Sequence, residues 1–226
     1  MIKVFKINKT ALIILLLVIT YLVLVNINFV KSQNAVNSYD TPLILLDAGH
    51  GGADGGAVGT KTSVKESDLN LLYAKTLKSY FLSLNFKVKM IRESEFSLDS
   101  DKYEDMQQRR RIIEKTNADL FISIHMNKFS ESSSLGAQVF YKQDDENSKV
   151  FAEDVRDLLV KNVEHARLLV LSGDFLVLNS ASCPSILVEC GFLSNEVDEK
   201  RLQTEEYRQN LCYQIFCGAV KFLNVE

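Results

Sequence analysis

Two of the chain's three histidines stand where an apolar run hands over to a turn. His50 closes LILLDAGHGG at residues 43–52, and His125 closes ADLFISIHMN at residues 118–127. A third run, SILVECGFLSN at residues 185–195, carries Glu189. A buried strand keeps hydrophobes to its end and then yields to turn residues. Open α/β sheets gather their ligands at that edge. Glu66, just past a glycine-rich loop, adds a second carboxylate. Two imidazoles, a carboxylate and a spare carboxylate are the parts of a hydrolytic zinc site, in which three protein ligands leave a position for water.

Taken singly, each residue has a plainer reading. Glu66 could be an acid favoured by a helix N-terminus, His125 a satisfied core imidazole and His50 a surface residue. Glu189 resists such a reading. A carboxylate inside Ile-Leu-Val-Glu-Cys-Gly-Phe is costly to bury unless it is paired, metal-bound or titrating. The loop GHGGADGGAVGT at residues 49–60 follows a strand, as a nucleotide loop would, but it fails in detail. The dinucleotide fingerprint needs glycine at the first, third and sixth places, and the sixth from Gly49 is Asp54; Gly59-Thr60-Lys61 breaks the order of a phosphate loop. Glycines that let the backbone turn around a metal ligand fit better. No CxxC occurs, so a thiolate zinc knuckle is excluded by spacing, and Cys183, Cys190, Cys212 and Cys217 read as free thiols.

The elements that must position these residues follow from the apolar pattern. Strands are expected at 43–48, 87–91, 119–125, 137–141, 175–178 and 185–189, and helices at 66–84, 103–116, 148–163 and 204–223. Leu69, Tyr73, Leu77, Phe81 and Leu84, spaced three or four apart, illustrate the helical signal. This alternation predicts a single α/β layered domain, a mixed sheet of about six strands with helices on both faces. Ahead of it, Lys3, Lys6 and Lys9 precede the uncharged run ALIILLLVITYLVLV at residues 11–25. Residues 1–30 therefore read as a signal peptide or an uncleaved signal-anchor helix that places the rest outside the cytoplasm, and 31–42 as a linker. Residues 43–226 form the expected catalytic domain. The net charge of −3 includes three lysines in that leader, which leaves 23 basic against 29 acidic residues in the exported part. Nucleic acid, which needs a positive face, is excluded as a partner.

DAGHGG at 47–52, Lys65-Glu66, SIHMN at 123–127 and LVECGFLSN at 187–195 together resemble the zinc-dependent N-acetylmuramoyl-L-alanine amidases of the Amidase_3 family. The likeness spans about residues 43–224. It implies zinc ligation by His50, Glu66 and His125, with Glu189 as the catalytic carboxylate. The implied reaction is hydrolysis of the amide between the N-acetylmuramic acid lactyl group and L-alanine of the peptidoglycan stem, in cell-wall or spore-cortex remodelling. The short architecture looks most like the germination-specific members. Arg109 falls at the family's usual arginine; Ala48, Met126, Cys190 and Glu114 depart from its usual residues, and none of them is a ligand.

Asn127, Asn195 and Arg92 are the expected substrate contacts, being near strand ends. Asn195 with Ser194 equally fits turn and helix-cap chemistry, and Arg92 equally fits pairing with Glu93 or Glu95. Larger family members insert an autoinhibitory helix after the second histidine, whereas here ten residues separate His125 from Gly136. Control is therefore expected from an exported activator protein and from the membrane segment. The rival readings are a zinc peptidase acting within the stem and a non-catalytic scaffold of a wall complex.

Overall fold

The computed structural model describes residues 13, 15–24 and 41–224. The chain divides into two units, residues 1–41 and 42–226. In the first, residues 15–24 are helical with exposed side chains. Among the described residues no helix is long and apolar enough to cross a membrane. Much of the expected leader and nearly all of the expected linker lie outside the described residues.

The second unit runs β1 (Leu43–Ala48), α1 (Glu66–Ser83), β2 (Lys87–Met90), α2 (Lys102–Lys115), β3 (Leu120–Asn127), β4 (Gln138–Lys142), α3 (Glu146–Asn162), β5 (Leu171–Gly173), α4 (Leu176–Asn179), β6 (Ser185–Phe192), α5 (Glu196–Leu202) and α6 (Glu205–Phe222). The six strands form one sheet in the order β2-β1-β3-β6-β4-β5. β1, β2, β3 and β6 run parallel, and β4 joins β6 antiparallel with β5 parallel to β4. This is the expected mixed α/β sheet. β1, β3 and β6 are nearly continuous hydrophobic runs because parallel strands at the centre are covered on both faces.

Pleating sorts alternate residues onto opposite faces. Ile44, Leu46, Ile122, Ile124, Ile186 and Val188 join the core that packs against α1, α3 and α6. Leu45, Phe121 and Leu187 point the other way, into a smaller cluster with Ile113 of α2 and Val177 and Leu178 of α4. Asp47, Ser123, His125 and Glu189 share parity with this second set. The polar residues of the central strands thus face the side with the thinner helical cover, and that is where a cleft opens.

Two expectations need correction. The apolar run 175–178 is the short helix α4, in which Asn179 N donates to Phe175 O at 2.9 Å and Ser180 N to Leu176 O at 3.0 Å. The free edge of β4 is taken by residues 171–173 instead, with Phe140 opposite Leu171. A four-residue apolar run has no periodicity with which to choose between strand and helix. α5 was not among the expected helices, although helix-cap chemistry was one reading of Asn195, its N-cap. In addition, β3 and β6 continue past His125 and Glu189, and their register shifts between His125 and Asn127.

Candidate metal centre

Three segments deliver the side chains. The turn after β1 carries His50, the first residue of α1 is Glu66, and the irregular end of β3 carries His125. One ligand atom from each lies within 4.8 Å of the others. Glu66 Oε1 is the hub: His125 Nδ1 lies 2.9 Å away and His50 Nε2 3.2 Å away. Met126 N and Asn70 Nδ2 donate to the same oxygen at 3.2 and 3.3 Å. Glu66 Oε2 accepts from Ala57 N at 2.7 Å. Burial would raise the Glu66 pKa, but the two imidazoles outweigh it and hold the carboxyl well below its usual range. The group is anionic at any ordinary pH.

The glycine loop is shaped around these rings. An added Cβ on Gly49 would fall inside the His125 ring, and one on Gly56 would come within 2.8 Å of His50 Cδ2. The loop also does the work of a helix cap. Lys65 at the N-cap of α1 makes no side-chain cap bond, and Glu66 N and Ser67 N donate instead to the carbonyls of Ala57 and Gly55 at 2.8 and 3.1 Å. The helix N-terminus is thereby satisfied, and its dipole favours the Glu66 carboxylate.

His50 adopts φ +61°, a left-handed conformation that costs a non-glycine residue about 1 kcal/mol. Two guanidinium groups hold it there. Arg92 Nε donates to Ala48 O at 2.8 Å and Nη2 to Gly49 O at 2.9 Å. Arg109 Nη1 and Nη2 donate to Ala48 O and His50 O at 3.0 and 2.6 Å. Arg109, 1% exposed, is neutralised by Asp47 at 2.6 Å and Asp105 at 2.7 Å, and Ser123 Oγ donates to Asp47. Burial would lower the Arg109 pKa, but Asp47 and Asp105 raise it further than burial lowers it. Arg92 has no such partners, and burial with the nearby Arg109 charge lowers it to about 10.

The outer nitrogen of His50 is also occupied: Nδ1 lies 2.9 Å from Asp54 Oδ2. A carboxylate there holds a proton on Nδ1 and leaves Nε2 free to ligate, as in carboxylate–histidine–metal triads. Burial lowers the His50 pKa, but Glu66 and then Asp54 raise it above its usual value. Two imidazole nitrogens and one carboxylate oxygen, converging on one point with an outer carboxylate behind, fit a zinc-type site with an open position.

Glu189 sits beside this group, opposite His125 in the β3–β6 register. Its Oε2 is buried and without a hydrogen-bond partner. Burial chiefly, with the charge of Glu66, raises its pKa to about 7 against the pull of His125 and His50. The cleft above, about 180 Å³, is walled by Met106, Phe175, Leu176, Val177 and Leu187.

The structure brings His50, Glu66, His125 and Glu189 together and leaves the three expected substrate contacts elsewhere. Arg92 is buried, and its remaining bonds go to Ser67 O and Ser94 O, both at 2.8 Å. It braces the loop and meets neither a cleft nor Glu93 or Glu95. Asn195 Oδ1 caps α5 by accepting from Val197 N and Asp198 N, while its Nδ2 donates to Ser132 O. Asn127 Oδ1 accepts from Lys128 N at 2.8 Å, closing its own turn outside the cleft lining. Sequence reasoning missed Asp54, Asn70 and Glu199. Glu199 is buried and accepts from Thr60 Oγ1, Lys61 N, Thr62 N and Thr62 Oγ1, tethering the far side of the loop. Asp54 and Asn70 each stand four residues beyond a candidate ligand, a spacing that could have flagged them.

The comparisons with known proteins agree with this geometry. The family model for N-acetylmuramoyl-L-alanine amidase (Amidase_3) matches residues 44–221. The chain belongs to this family of amidases. The germination-specific N-acetylmuramoyl-L-alanine amidase of Bacillus subtilis is 35% identical over 191 residues, covering 80% of this chain and 79% of that one. The Bacillus subtilis amidase LytC is 30% identical over 197 residues, covering 84% of this chain and 38% of its own. Among solved structures, the CwlD amidase from Clostridioides difficile, in complex with the GerS lipoprotein, matches with TM-score 0.78 and 34% identity over 82% of this chain and all of that one. The catalytic domain of CwlV from Paenibacillus polymyxa matches with TM-score 0.75 and 28% identity over 82% of this chain and all of that one. The amidase here therefore shares both the family pattern and the fold.

Proposed function

We propose that this amidase is zinc-dependent and cleaves the amide between the lactyl group of N-acetylmuramic acid and L-alanine of the stem peptide. The observation that carries the reading is the convergence of His50 Nε2, Glu66 Oε1 and His125 Nδ1 beside an unpartnered Glu189 oxygen. His50, Glu66 and His125 would hold the ion. When bound, zinc supplies Lewis acidity to the scissile carbonyl and to water. Asp54 keeps the His50 ring in the ligating tautomer, and the Arg92 and Arg109 bonds keep its backbone in place.

Glu189 is the group that moves the proton. A carboxyl whose pKa lies near the working pH can both take and return a proton. Its oxygen accepts the proton of the attacking water and then delivers it to the departing L-alanine nitrogen. The thin side of the sheet leaves this carboxyl open to a bound chain, and the apolar wall around Phe175 keeps bulk water from its far side.

The wall amidases related to this chain support an extracytoplasmic location with peptidoglycan as substrate, and residues 1–30 would serve as leader or anchor. An exported partner would act as activator; the lipoprotein bound to the related CwlD supports that kind of partner. The test is digestion of peptidoglycan sacculi by the full chain with and without zinc, followed by mass spectrometry. Zinc-dependent release of intact stem peptides supports the reading. Shortened stems still joined to muramic acid would instead mean a peptidase acting within the stem. Substoichiometric zinc in the chain alone, raised by the partner, supports the activator.

A further inference from the structure

We infer that Lys102 is a specificity residue, whose ammonium selects stem peptides with a free carboxylate on the residue that follows L-alanine. This rests on the amidase reading above. In the stem that residue is a glutamate, whose α-carboxylate is free in some walls and amidated in others, so the distinction is one of charge at a fixed place.

Lys102 lines both the apolar cleft that holds His125 and Glu189 and the adjoining hollow, which also carries the carboxylates of Asp54, Asp99 and Asp105. Its Nζ lies 3.1 Å from Asp54 Oδ2, which in turn lies 2.9 Å from His50 Nδ1. The cation is thus two contacts from a ligand ring. Two steps of an extended chain, at about 3.3–3.6 Å each, carry the α-carboxylate of the residue after L-alanine away from the scissile amide on the same length scale as the Lys102–Asp54–His50 relay.

Lys102 is the cation of this cleft that is free to exchange partners. Arg109, which also lines it, is buried with Nε, Nη1 and Nη2 all donated. Lys102 is 72% exposed and Asp54 29% exposed, and a solvent-screened pair of this kind holds its partners weakly. If Lys102 turned to a substrate, Asp54 would keep His50 Nδ1 and Gly56 N, the latter at 3.2 Å. The other acids of the hollow are occupied, Asp105 by Arg109 Nε and Leu98 N and Asp99 by Asp101 N and Gln108 Nε2. Lys102 is moreover the first residue of α2, the end at which the helix macrodipole disfavours a cation. Folding gains little from a lysine here, and recognition gains a charge.

The experiment compares two synthetic muramoyl peptides, one with the free α-carboxylate and one with its amide, as substrates of the full chain. A parallel arm measures binding of the two released stem peptides to the chain by calorimetry. The wild type is expected to favour the free acid about fivefold to tenfold in kcat/KM and in binding. Lys102→Met should erase the preference in both arms and Lys102→Arg should retain it. Equal treatment of the two forms by the wild type, or a preference that survives in Lys102→Met, overturns the inference. If neither compound is cleaved, the amidase reading fails, and the binding arm alone decides the role of Lys102.

Discussion

His125 and Glu189 are register partners on the adjacent parallel strands β3 and β6, so a ligand imidazole and an unpartnered carboxyl sit at the same level of the sheet. Both project to the thinly covered face, and the strand pair itself sets their separation. Under the proposed mechanism one side chain would hold the ion and its neighbour would move the proton.

Glu189→Gln removes the proton carrier and leaves all three ligand atoms in place. Zinc content by elemental analysis should match the wild type, and turnover on sacculi should fall by about 10²–10⁴. A variant retaining full turnover would remove Glu189 from the reaction.

The metal-free chain should carry the cost of Glu189 in its stability. The folded pKa of about 7 lies above the ordinary 4.5, so folding binds a proton there. Below pH 4.5 both states are protonated and the group contributes nothing; stability falls as pH rises between 4.5 and about 7, and a constant penalty remains above. At 1.36 kcal/mol per pKa unit that penalty is on the order of 3 kcal/mol. In chelator-treated samples, Glu189→Gln should raise the urea midpoint at pH 8, and the difference should vanish near pH 4. The depressed Glu66 acts in the opposite sense and is common to both chains.

Metal binding should stabilise the fold by mass action. At a hundredfold excess over Kd a ligand specific to the folded state adds about 2.7 kcal/mol. Added zinc should therefore raise the Tm of chelated wild type, and Glu66→Ala should lose that response. An equal rise in the variant would move the site elsewhere.

Arg109→Ala strips Asp47 and Asp105 of their buried counter-charge and frees the His50 carbonyl. Breaking a buried pair from one side costs about 3–5 kcal/mol, measurable by urea denaturation. Arg109→Lys keeps the charge and loses the fork. It should recover most of the stability while still weakening zinc affinity, because the His50 carbonyl would no longer be held.

Gly49→Ala places a methyl inside the His125 ring. The expected result is a folded chain whose His125 has turned away, with zinc affinity lowered at least tenfold by competition with a chelating dye. Wild-type affinity would show that the ring is free to shift.

The cluster of His50, Glu66, His125 and Glu189 was legible in the sequence because each member sits at an abrupt change of pattern. His50 and His125 end apolar runs, Glu66 opens a helix after glycines, and Glu189 interrupts a buried strand. These signals are local. The order of strands and helices was legible for the same reason, since side-chain period separates the long elements. The run 175–178 was not, because four apolar residues carry no period; in the fold it forms a short helix while residues 171–173 pair with β4.

The tertiary structure alone decided which polar residues serve the site. Arg92 and Asn195 looked like substrate contacts because they stand near strand ends, but unsatisfied carbonyls and a helix N-terminus claimed them first. Arg109 reaches across 59 residues to the His50 carbonyl, and Glu199 across more than 130 to the glycine loop. Such contacts depend on how sheet and helices pack, and no spacing within the chain encodes them. Residue type and local pattern determined what chemistry the chain carries; three-dimensional packing determined which neighbours hold it in place, because buried polar groups must find partners wherever the fold brings them.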